Sequence, residues 1–275
     1  MTTLPVPAIP LPDGRTIPQL GLGVYKIPDD EAAACVRTAL DAGYRHIDTA
    51  ALYANERGVG QGLRTSGVPR EDIFVTTKVW NDDHGYDETL RAFDASLGRL
   101  GTDYVDLYLV HWPIPSRDRY VETYRALESL RADGRARSIG VSNFAIAHLD
   151  RLLAETEVVP AVNQIELHPL LPQHELRAYG ASHGIVTEAW SPLARGRLLD
   201  DPVLAAIARK HGRSTAQVII RWHLQLGTVV IPKSVSPDRI RANADVFGFA
   251  LDDDDLRAVA GLESDLRTGR DPSLD

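Results

Sequence analysis

The chain has 275 residues, of which 44% are hydrophobic and 25% are charged, and its formal net charge at pH 7 is −8. This composition is typical of a globular protein, and the length suits one barrel-sized domain or two smaller ones. The basic residues form no long run, so we expect neither a nucleic-acid partner nor an anionic-membrane surface.

The single cysteine, Cys35, cannot form an internal disulfide, so nothing in the sequence calls for an oxidising compartment. We expect it to be a small buried residue rather than a nucleophile. The first fourteen residues contain four prolines and no apolar segment flanked by positive charge. No apolar run approaches the length of a membrane span. These observations predict a soluble cytoplasmic protein.

The hydrophobic pattern begins with a hairpin and continues as an alternation of helices and strands. Two short apolar segments flank Asp13-Gly14, which predicts a β-hairpin. From Asp29 onwards, segments with apolar residues at three- and four-residue spacing alternate with short strands rich in Val and Ile. The strands are predicted, in chain order, in QLGLGV, YRHIDTA, DIFVTTKVW, YVDLYLVHW, ARSIGVSNF, PAVNQIEL, IVTEAWSPL and TVVIPKSV.

Alternation sustained along a whole chain indicates parallel strands joined by crossover helices. We therefore predict an α/β fold, a closed (β/α)8 TIM barrel with the N-terminal β-hairpin at its bottom, as a single domain over residues 1–275. The alternative is an open doubly wound sheet, which normally carries a Gly-rich turn after its first strand. Neither GLGVYK at Gly21 nor GVGQGL at Gly58 completes GxGxxG, and the second lies in a helical segment, so the barrel is favoured.

Every predicted βα strand ends in a polar or aromatic residue. In a barrel the loops after the strands share one face, and that face holds the active site. One such ending can be a simple cap, but seven in series are hard to explain as capping. We expect the strand-end residues to converge on one space; they are Asp48, Lys78, His111, Ser142 with Asn143, Gln164, Trp190 and Lys233.

Four of the residues at this face suggest proton transfer. A buried Lys78 needs a counter-charge, which Asp48 provides. A lysine beside a phenol favours the phenolate, so we expect Lys78 to lower the pKa of Tyr53, which lies on the loop beyond Asp48. Such a tyrosine can protonate a carbonyl oxygen, and His111 can hydrogen-bond and orient the same oxygen.

This face has no evident nucleophile and no metal cluster, because His46, His168, His174 and His183 show no metal-binding spacing. Attack on a carbonyl carbon then needs another reagent, and a hydride from a nicotinamide would serve. Lys78 could instead form a Schiff base, as in a barrel aldolase, but the strand ends that suit a dinucleotide argue against it.

The remaining strand ends suit a nicotinamide cofactor. Ser142, Asn143 and Gln164 can bind a carboxamide, and Trp190 offers a flat face on which a ring can stack.

A phosphate site is predicted farther along the same face. Lys233 and Ser234 precede a helix in which Ser236 has the position of an N-cap and Pro237 that of a first-turn proline. A helix N-terminus flanked by Lys233 and Arg239 is a natural phosphate site, and it suits the extra phosphate of NADPH.

These segments resemble the aldo-keto reductases from end to end. The stretches GYRHIDTAALYANE, LGTDYVDLYLVHWP and IPKSVSPDRIRAN are similar to three signature stretches of that family, and VTTKVWN, GVSNF and AWSPLARG match between them. Within the family the chain is similar to the bacterial 2,5-diketo-D-gluconate reductases, which also carry tryptophan at the position of Trp190.

The resemblance implies a catalytic tetrad and an extended NADPH across the barrel mouth. The implied tetrad is Asp48, Tyr53, Lys78 and His111. The implied cofactor-binding residues are Gly23, Val24, Ser142, Asn143, Gln164, Trp190, Ser191, Leu193, Lys233, Ser234, Val235, Arg239 and Asn243. The implied substrate pocket is lined by Tyr25, Trp80 and Trp112. Two positions depart from the family's pattern: Ala242 replaces a frequent acidic residue near the adenine, and Arg270 replaces a frequent proline.

The expected activity is therefore NADPH-dependent reduction of aldehydes or ketones, with small carbonyls or keto-sugar acids as substrates and a monomer as the working form. Other interpretations stay open at this point. Asp48 can be a cap, Tyr53 a packing residue, and Trp80 and Trp112 part of the core. The chain can also be an NADPH-binding sensor with negligible turnover.

Overall fold

The described part of the chain, residues 6–272 of a computed structural model, begins with the expected hairpin. Strands β1 (Ala8–Pro10) and β2 (Thr16–Pro18) pair antiparallel, and Ile9 lies opposite Ile17. The turn between them contains Asp13-Gly14, as the sequence predicts, and Gly14 has a positive φ of 85°.

Eight parallel strands follow, and their order in the sheet is their order in the chain. They are β3 (Leu22–Gly23), β4 (His46–Asp48), β5 (Phe74–Val79), β6 (Val105–Val110), β7 (Ala136–Ser142), β8 (Val162–Glu166), β9 (Val186–Trp190) and β10 (Val229–Val230).

The sheet closes on itself between its first and last strands. Leu20 and Val230 form a parallel bridge just before β3, and Val230 N donates to Gln19 O at 2.9 Å. Gly21 N donates to Val230 O at 2.9 Å, and Gly23 N donates to Pro232 O at 3.3 Å. The predicted (β/α)8 barrel is therefore confirmed.

Ten helices pack around the barrel among residues 6–272. They are α1 (Asp29–Asp41), α2 (Glu56–Thr65), α3 (Tyr86–Leu100), α4 (Tyr120–Ala132), α5 (Ile146–Glu155), α6 (His174–Ser182), α7 (Pro202–His211), α8 (Thr215–Gln225), α9 (Pro237–Ala244) and α10 (Asp253–Ala260).

The glycines of GVGQGL pack helices rather than bind phosphate. A Cβ built on Gly58 would lie 2.0 Å from Asp29 O, and one on Gly60 would lie 2.0 Å from Leu100 O. Their hydrogen side chains therefore let α2 approach α1 and the end of α3 more closely than any other residue would allow.

The hairpin covers the bottom of the barrel. Ile17 is fully buried and belongs to a small apolar cluster with Leu107, Leu109 and Val229 from the barrel strands. Arg15 Nε donates to the carbonyl of Arg137, near the start of β7, at 3.1 Å. The opposite end, where the strands finish, is left as the open mouth.

Cys35 is buried in α1, as expected, and burial raises the pKa of its thiol. None of the helices among residues 6–272 is long and apolar enough to cross a membrane. The expectations of a single domain, a cytoplasmic location and a monomer stay predictions. The first five and last three residues of the chain lie outside the described part.

Candidate active site

A buried ion pair lies at the centre of the barrel mouth. Lys78 Nζ lies 2.7 and 2.8 Å from the two carboxylate oxygens of Asp48 and also donates to Thr49 O at 2.8 Å. Both charged side chains are almost completely inaccessible to solvent. Because β4 and β5 are neighbours in the sheet, their ends bring the two charges together, as the sequence predicts.

Tyr53 and His111 lie over this pair. Lys78 Nζ is 5.2 Å from the centroid of the Tyr53 ring, and the Tyr53 and His111 ring centroids are 5.8 Å apart. Tyr53 sits on a short 3₁₀ turn, Ala51–Tyr53, that follows β4. His111 directly follows β6, and its amide donates to Val79 O at 3.3 Å. The structure thus groups the four residues of the expected tetrad.

The expected lowering of the Tyr53 pKa is wrong. Burial of the phenol outweighs the lowering effect of Lys78, which Asp48 also opposes, and the pKa of Tyr53 rises from 10.0 to about 12. The sequence shows the neighbouring cation but not the burial of the phenol. Tyr53 is consequently a neutral phenol at working pH.

His111 is held as a neutral imidazole. Burial, followed by the nearby Lys78 charge and by His84, lowers the pKa of His111 well below 6.5. Its ring packs edge-on against Trp80, with centroids 5.2 Å apart. A neutral ring keeps one N–H group, which can donate a hydrogen bond to a carbonyl oxygen at the mouth.

The polar strand ends of β7 to β9 form one hydrogen-bonded network. Trp190 Nε1 donates to Asn143 Oδ1 at 2.8 Å, and Asn143 Nδ2 donates to His111 O at 2.9 Å. Gln164 Nε2 donates to Asp48 Oδ2 at 2.8 Å, and Ser142 Oγ donates to Gln164 O at 2.9 Å. The network fixes the orientation of the Trp190 ring and joins it to the ion pair.

A cavity of about 510 Å³ opens over these groups. Fourteen of the predicted site residues line it: Gly23, Tyr25, Asp48, Tyr53, His111, Trp112, Ser142, Asn143, Gln164, Trp190, Ser191, Leu193, Lys233 and Arg239.

A cationic end of the cavity lies at the start of α9. The Ser236 side chain accepts a hydrogen bond from Arg239 N, with Pro237 in the first turn, so the predicted cap is confirmed. Lys233 and Arg239 are both exposed, and neither has a carboxylate within 4.0 Å among residues 6–272. Two unpaired cations at a helix N-terminus make this end attractive to an anion.

Six predicted site residues lie outside the cavity wall. Lys78 is buried beneath it, and Trp80 is partly buried and packs against His111. Val24 is fully buried, Ser234 is buried just before α9, Asn243 is buried within α9, and Val235 is 44% exposed.

The sequence analysis did not predict several other residues at this face. Leu52, Arg195 and Leu199 line the cavity but lie in 3₁₀ or other turns, which are too short to give a periodic signal. Glu188 is buried inside the barrel, where strand alternation alone predicts an apolar residue. No group of three or more His, Cys, Asp or Glu side chains that could hold a metal ion occurs among residues 6–272.

Comparison with known proteins agrees with this arrangement. The model of the Aldo/keto reductase family matches residues 19–264. The chain is 59% identical to an aldo-keto reductase of Mycolicibacterium smegmatis over 97% of each chain. It is 53% identical to a glyoxal reductase of Bacillus subtilis, covering 96% of this chain and 95% of that protein. It is 51% identical to the methylglyoxal reductase DkgA of Escherichia coli, covering 96% of each.

Solved structures show the same barrel. The crystal structure of a Gox0644 mutant in complex with NADPH has a TM-score of 0.94 and 51% identity over 98% of each chain. The Bombyx mori aldo-keto reductase in complex with NADP has a TM-score of 0.89 and 40% identity, covering 96% of this chain and 95% of that chain. The chain belongs to the aldo/keto reductase family, a family of oxidoreductases, as the sequence motifs indicate.

Proposed function

We propose that the protein reduces small aldehydes and ketones to alcohols with NADPH, and that Tyr53 donates the proton to the carbonyl oxygen. The observation that carries the proposal is the grouping of Tyr53 and His111 over the buried Asp48–Lys78 pair, at the floor of a cavity. The membership in the family supports it.

The cavity walls suit NADPH. Trp190 presents a ring at the wall, and its indole N–H is held by Asn143 at 2.8 Å. The cationic end with Lys233 and Arg239 is suited to phosphate. A Cβ built on Gly23 would lie 2.8 Å from Ile231 O, so a glycine is needed where β3 meets the mouth. Two structural neighbours are complexes with NADPH or NADP. When bound, NADPH supplies the hydride that reduces the carbonyl carbon.

The protein's own groups handle the proton. The raised pKa of Tyr53, about 12, keeps the phenol protonated, and a protonated phenol is the form that donates during reduction. Lys78 stabilises the phenolate left after proton transfer, and Asp48 keeps Lys78 charged in a buried place. The neutral His111 donates a hydrogen bond that orients the carbonyl oxygen.

The substrate is proposed to be a small carbonyl compound. Tyr25, Leu52, Trp112 and Leu199 give the cavity apolar walls. Two relatives are a glyoxal reductase and a methylglyoxal reductase, which favours short dicarbonyls as first candidates. Keto-sugar acids remain a second class, because the positive side chain of Arg195 also lines the cavity.

The test is NADPH consumption with a panel of glyoxal, methylglyoxal, aromatic aldehydes, aldoses and diketo sugar acids. Turnover with any of them supports the reductase, and the order of kcat/KM identifies the substrate class. The Tyr53→Phe variant serves as the matched control, because its loss of turnover shows that the observed reduction belongs to this site. Absence of turnover with intact NADPH binding would contradict the proposal and favour a cofactor sensor.

A further inference from the structure

A buried carboxylate beside the active site holds the C-terminal tail, residues 267–272. Glu166, the last residue of β8, accepts hydrogen bonds at Oε1 from Thr268 N at 2.6 Å and Thr268 Oγ1 at 2.5 Å. Gly269 N donates to both carboxylate oxygens, at 3.2 and 3.1 Å. His168 Nε2 lies 3.1 Å from the same Oε1. One side chain thus binds two consecutive backbone amides of the tail.

The carboxylate of Glu166, together with its hydrogen bonds to Thr268 and Gly269, is called the clamp below. The carboxylate stays charged despite its burial. Burial alone would raise the pKa of Glu166, but the hydrogen bonds from His168, Thr268 and Gly269 lower it to about 2. The carboxylate is therefore ionised at any working pH, and charge-assisted hydrogen bonds of this kind are the stronger ones.

The tail segment that Glu166 holds contacts the ring of Trp190, which lines the cavity. Glu166 and Trp190 are partners in the register of β8 and β9. A Cβ built on Gly269 would lie 2.4 Å from Trp190 Cη2 and 3.2 Å from Cζ3, so the tail backbone rests directly against the benzene edge of the indole. The other edge is held by Asn143 through Nε1 at 2.8 Å.

We infer that Glu166 is a positioning residue for the cofactor: it holds the backbone at Gly269 against Trp190 and so fixes the indole between the tail and Asn143. The inference rests on the proposed function, in which the Trp190 ring forms part of the wall of the NADPH cavity. A carboxylate that only anchored the terminus would not need to place the tail on this ring. The clamp makes the affinity for NADPH depend on a segment that lies outside the cavity.

A double-mutant cycle tests the coupling. The E166Q variant keeps the shape of the side chain but removes the charge, and G269A forces the indole or the tail to move without altering the carboxylate. Each should raise the Kd for NADPH by about ten-fold, because in both variants the Trp190 ring is no longer held in the position that suits the cofactor; a ten-fold change corresponds to about 1.4 kcal/mol. In the E166Q background the tail is already released, so G269A should add almost nothing. The E71Q variant, the same change at an exposed site, should leave the Kd unchanged.

Release of the tail is measured separately from binding. Arg267 and Arg270 flank the clamped residues and offer trypsin cleavage sites. Cleavage after these residues should be faster in E166Q than in the unmodified protein and in E71Q. The T268V variant removes only the hydroxyl donor, so it should show a smaller rise in both cleavage and Kd; it also keeps the test valid if E166Q folds poorly. The melting temperature of each variant reports any loss of the fold.

Two results would overturn the inference: faster tail cleavage in E166Q with an unchanged Kd, or additive effects of E166Q and G269A. The proposed function fails by a different observation. If the unmodified protein binds NADPH but reduces no carbonyl, the proposed reductase activity is refuted. The Kd values of the double-mutant cycle then still decide whether Glu166 positions Trp190. If the unmodified protein does not bind NADPH, the clamp inference falls as well.

Discussion

The Nζ of Lys78 lies within 2.8 Å of both carboxylate oxygens of Asp48, and almost no solvent reaches either side chain. Two opposite charges this deeply buried depend on one another, because each would be unstable without its partner. The pair is thus a requirement of the fold as well as of the proposed chemistry.

Breaking the pair should destabilise the protein. Asp48→Asn should lower the free energy of unfolding by about 3–5 kcal/mol, because the buried Lys78 loses its counter-charge. Replacing both residues, Asp48→Asn with Lys78→Met, should cost less than Asp48→Asn alone. Urea denaturation measures both values. Glu88→Gln, which breaks exposed ion pairs with Arg91 and Arg119, is the control and should change stability very little. A double variant less stable than the single one would contradict the prediction.

Removing the Tyr53 hydroxyl should abolish reduction but not cofactor binding. Tyr53→Phe should lower kcat by roughly 10²–10⁴-fold, the scale of losing a positioned general acid. The Kd for NADPH should stay within about two-fold of its original value, since the phenol acts on the carbonyl oxygen. Steady-state kinetics and a fluorescence titration measure these quantities. Tyr25→Phe, whose ring centroid lies 5.0 Å from that of Tyr53, is the control and should keep most activity. Normal turnover by Tyr53→Phe would remove this residue as the acid.

Arg239 should distinguish NADPH from NADH. Arg239→Ala should weaken NADPH binding by roughly 1.5–3 kcal/mol, the value of a charged hydrogen bond, and should affect NADH much less. Titration with each cofactor measures the difference. Arg241→Ala is the matched control, because this exposed arginine lies on the same helix and pairs with Asp238 instead of lining the cavity. Equal losses for the two cofactors would refute the phosphate assignment.

Glu188 should make the stability of the protein fall at alkaline pH. It lies inside the barrel, with His46 Nε2 3.7 Å from its Oε1, and neither carboxylate oxygen has a hydrogen-bond partner among the described residues. Burial, followed by the nearby Asp48 charge, raises the pKa of Glu188 from 4.5 to about 8, and His46 is kept neutral because burial lowers its pKa to about 3. The folded protein therefore holds this proton more tightly than the unfolded chain does.

The sign of the effect follows from proton linkage. Because the folded pKa of Glu188 is raised, its stability contribution is complete below the unfolded pKa of 4.5 and is lost as pH rises through about 8. Glu188→Gln, which cannot ionise, should gain stability relative to the unmodified protein as pH rises through this window. Unfolding by urea at several pH values measures the gap. The exposed Glu71→Gln change should show no such trend, and a constant gap between Glu188→Gln and the unmodified protein would show that Glu188 does not titrate there.

The sequence predicts the barrel because the signals for it are local and repeated. Helical spacing, short Val- and Ile-rich strands and the Asp13-Gly14 turn each report on a few neighbouring residues, and their order then permits few topologies. The grouping of Asp48, Lys78 and His111 is predictable for the same reason, since parallel strand ends meet on one face.

The features that sequence reasoning missed depend on contacts between distant segments. The pKa of Tyr53 is set by the degree of burial, which no neighbouring residue in the chain reveals. The bond between Glu166 and Thr268 joins residues 102 positions apart, and neither position lies in a recognisable pattern. The sequence predicts that Asn143 binds a carboxamide; in the structure its amide group accepts from Trp190 and donates to the carbonyl of His111.

The bridge between Leu20 and Val230 can form only late in the synthesis of the chain. These residues join the first and last barrel strands, so the cylinder is incomplete until nearly the whole chain has left the ribosome. Until then β3 and the newest strand carry unpaired backbone groups, which are open to pairing with other chains. Contacts between such distant residues also slow folding. We therefore expect a chain truncated before Val229 to form an open sheet that aggregates readily, because β3 would lack its partner at the closing edge.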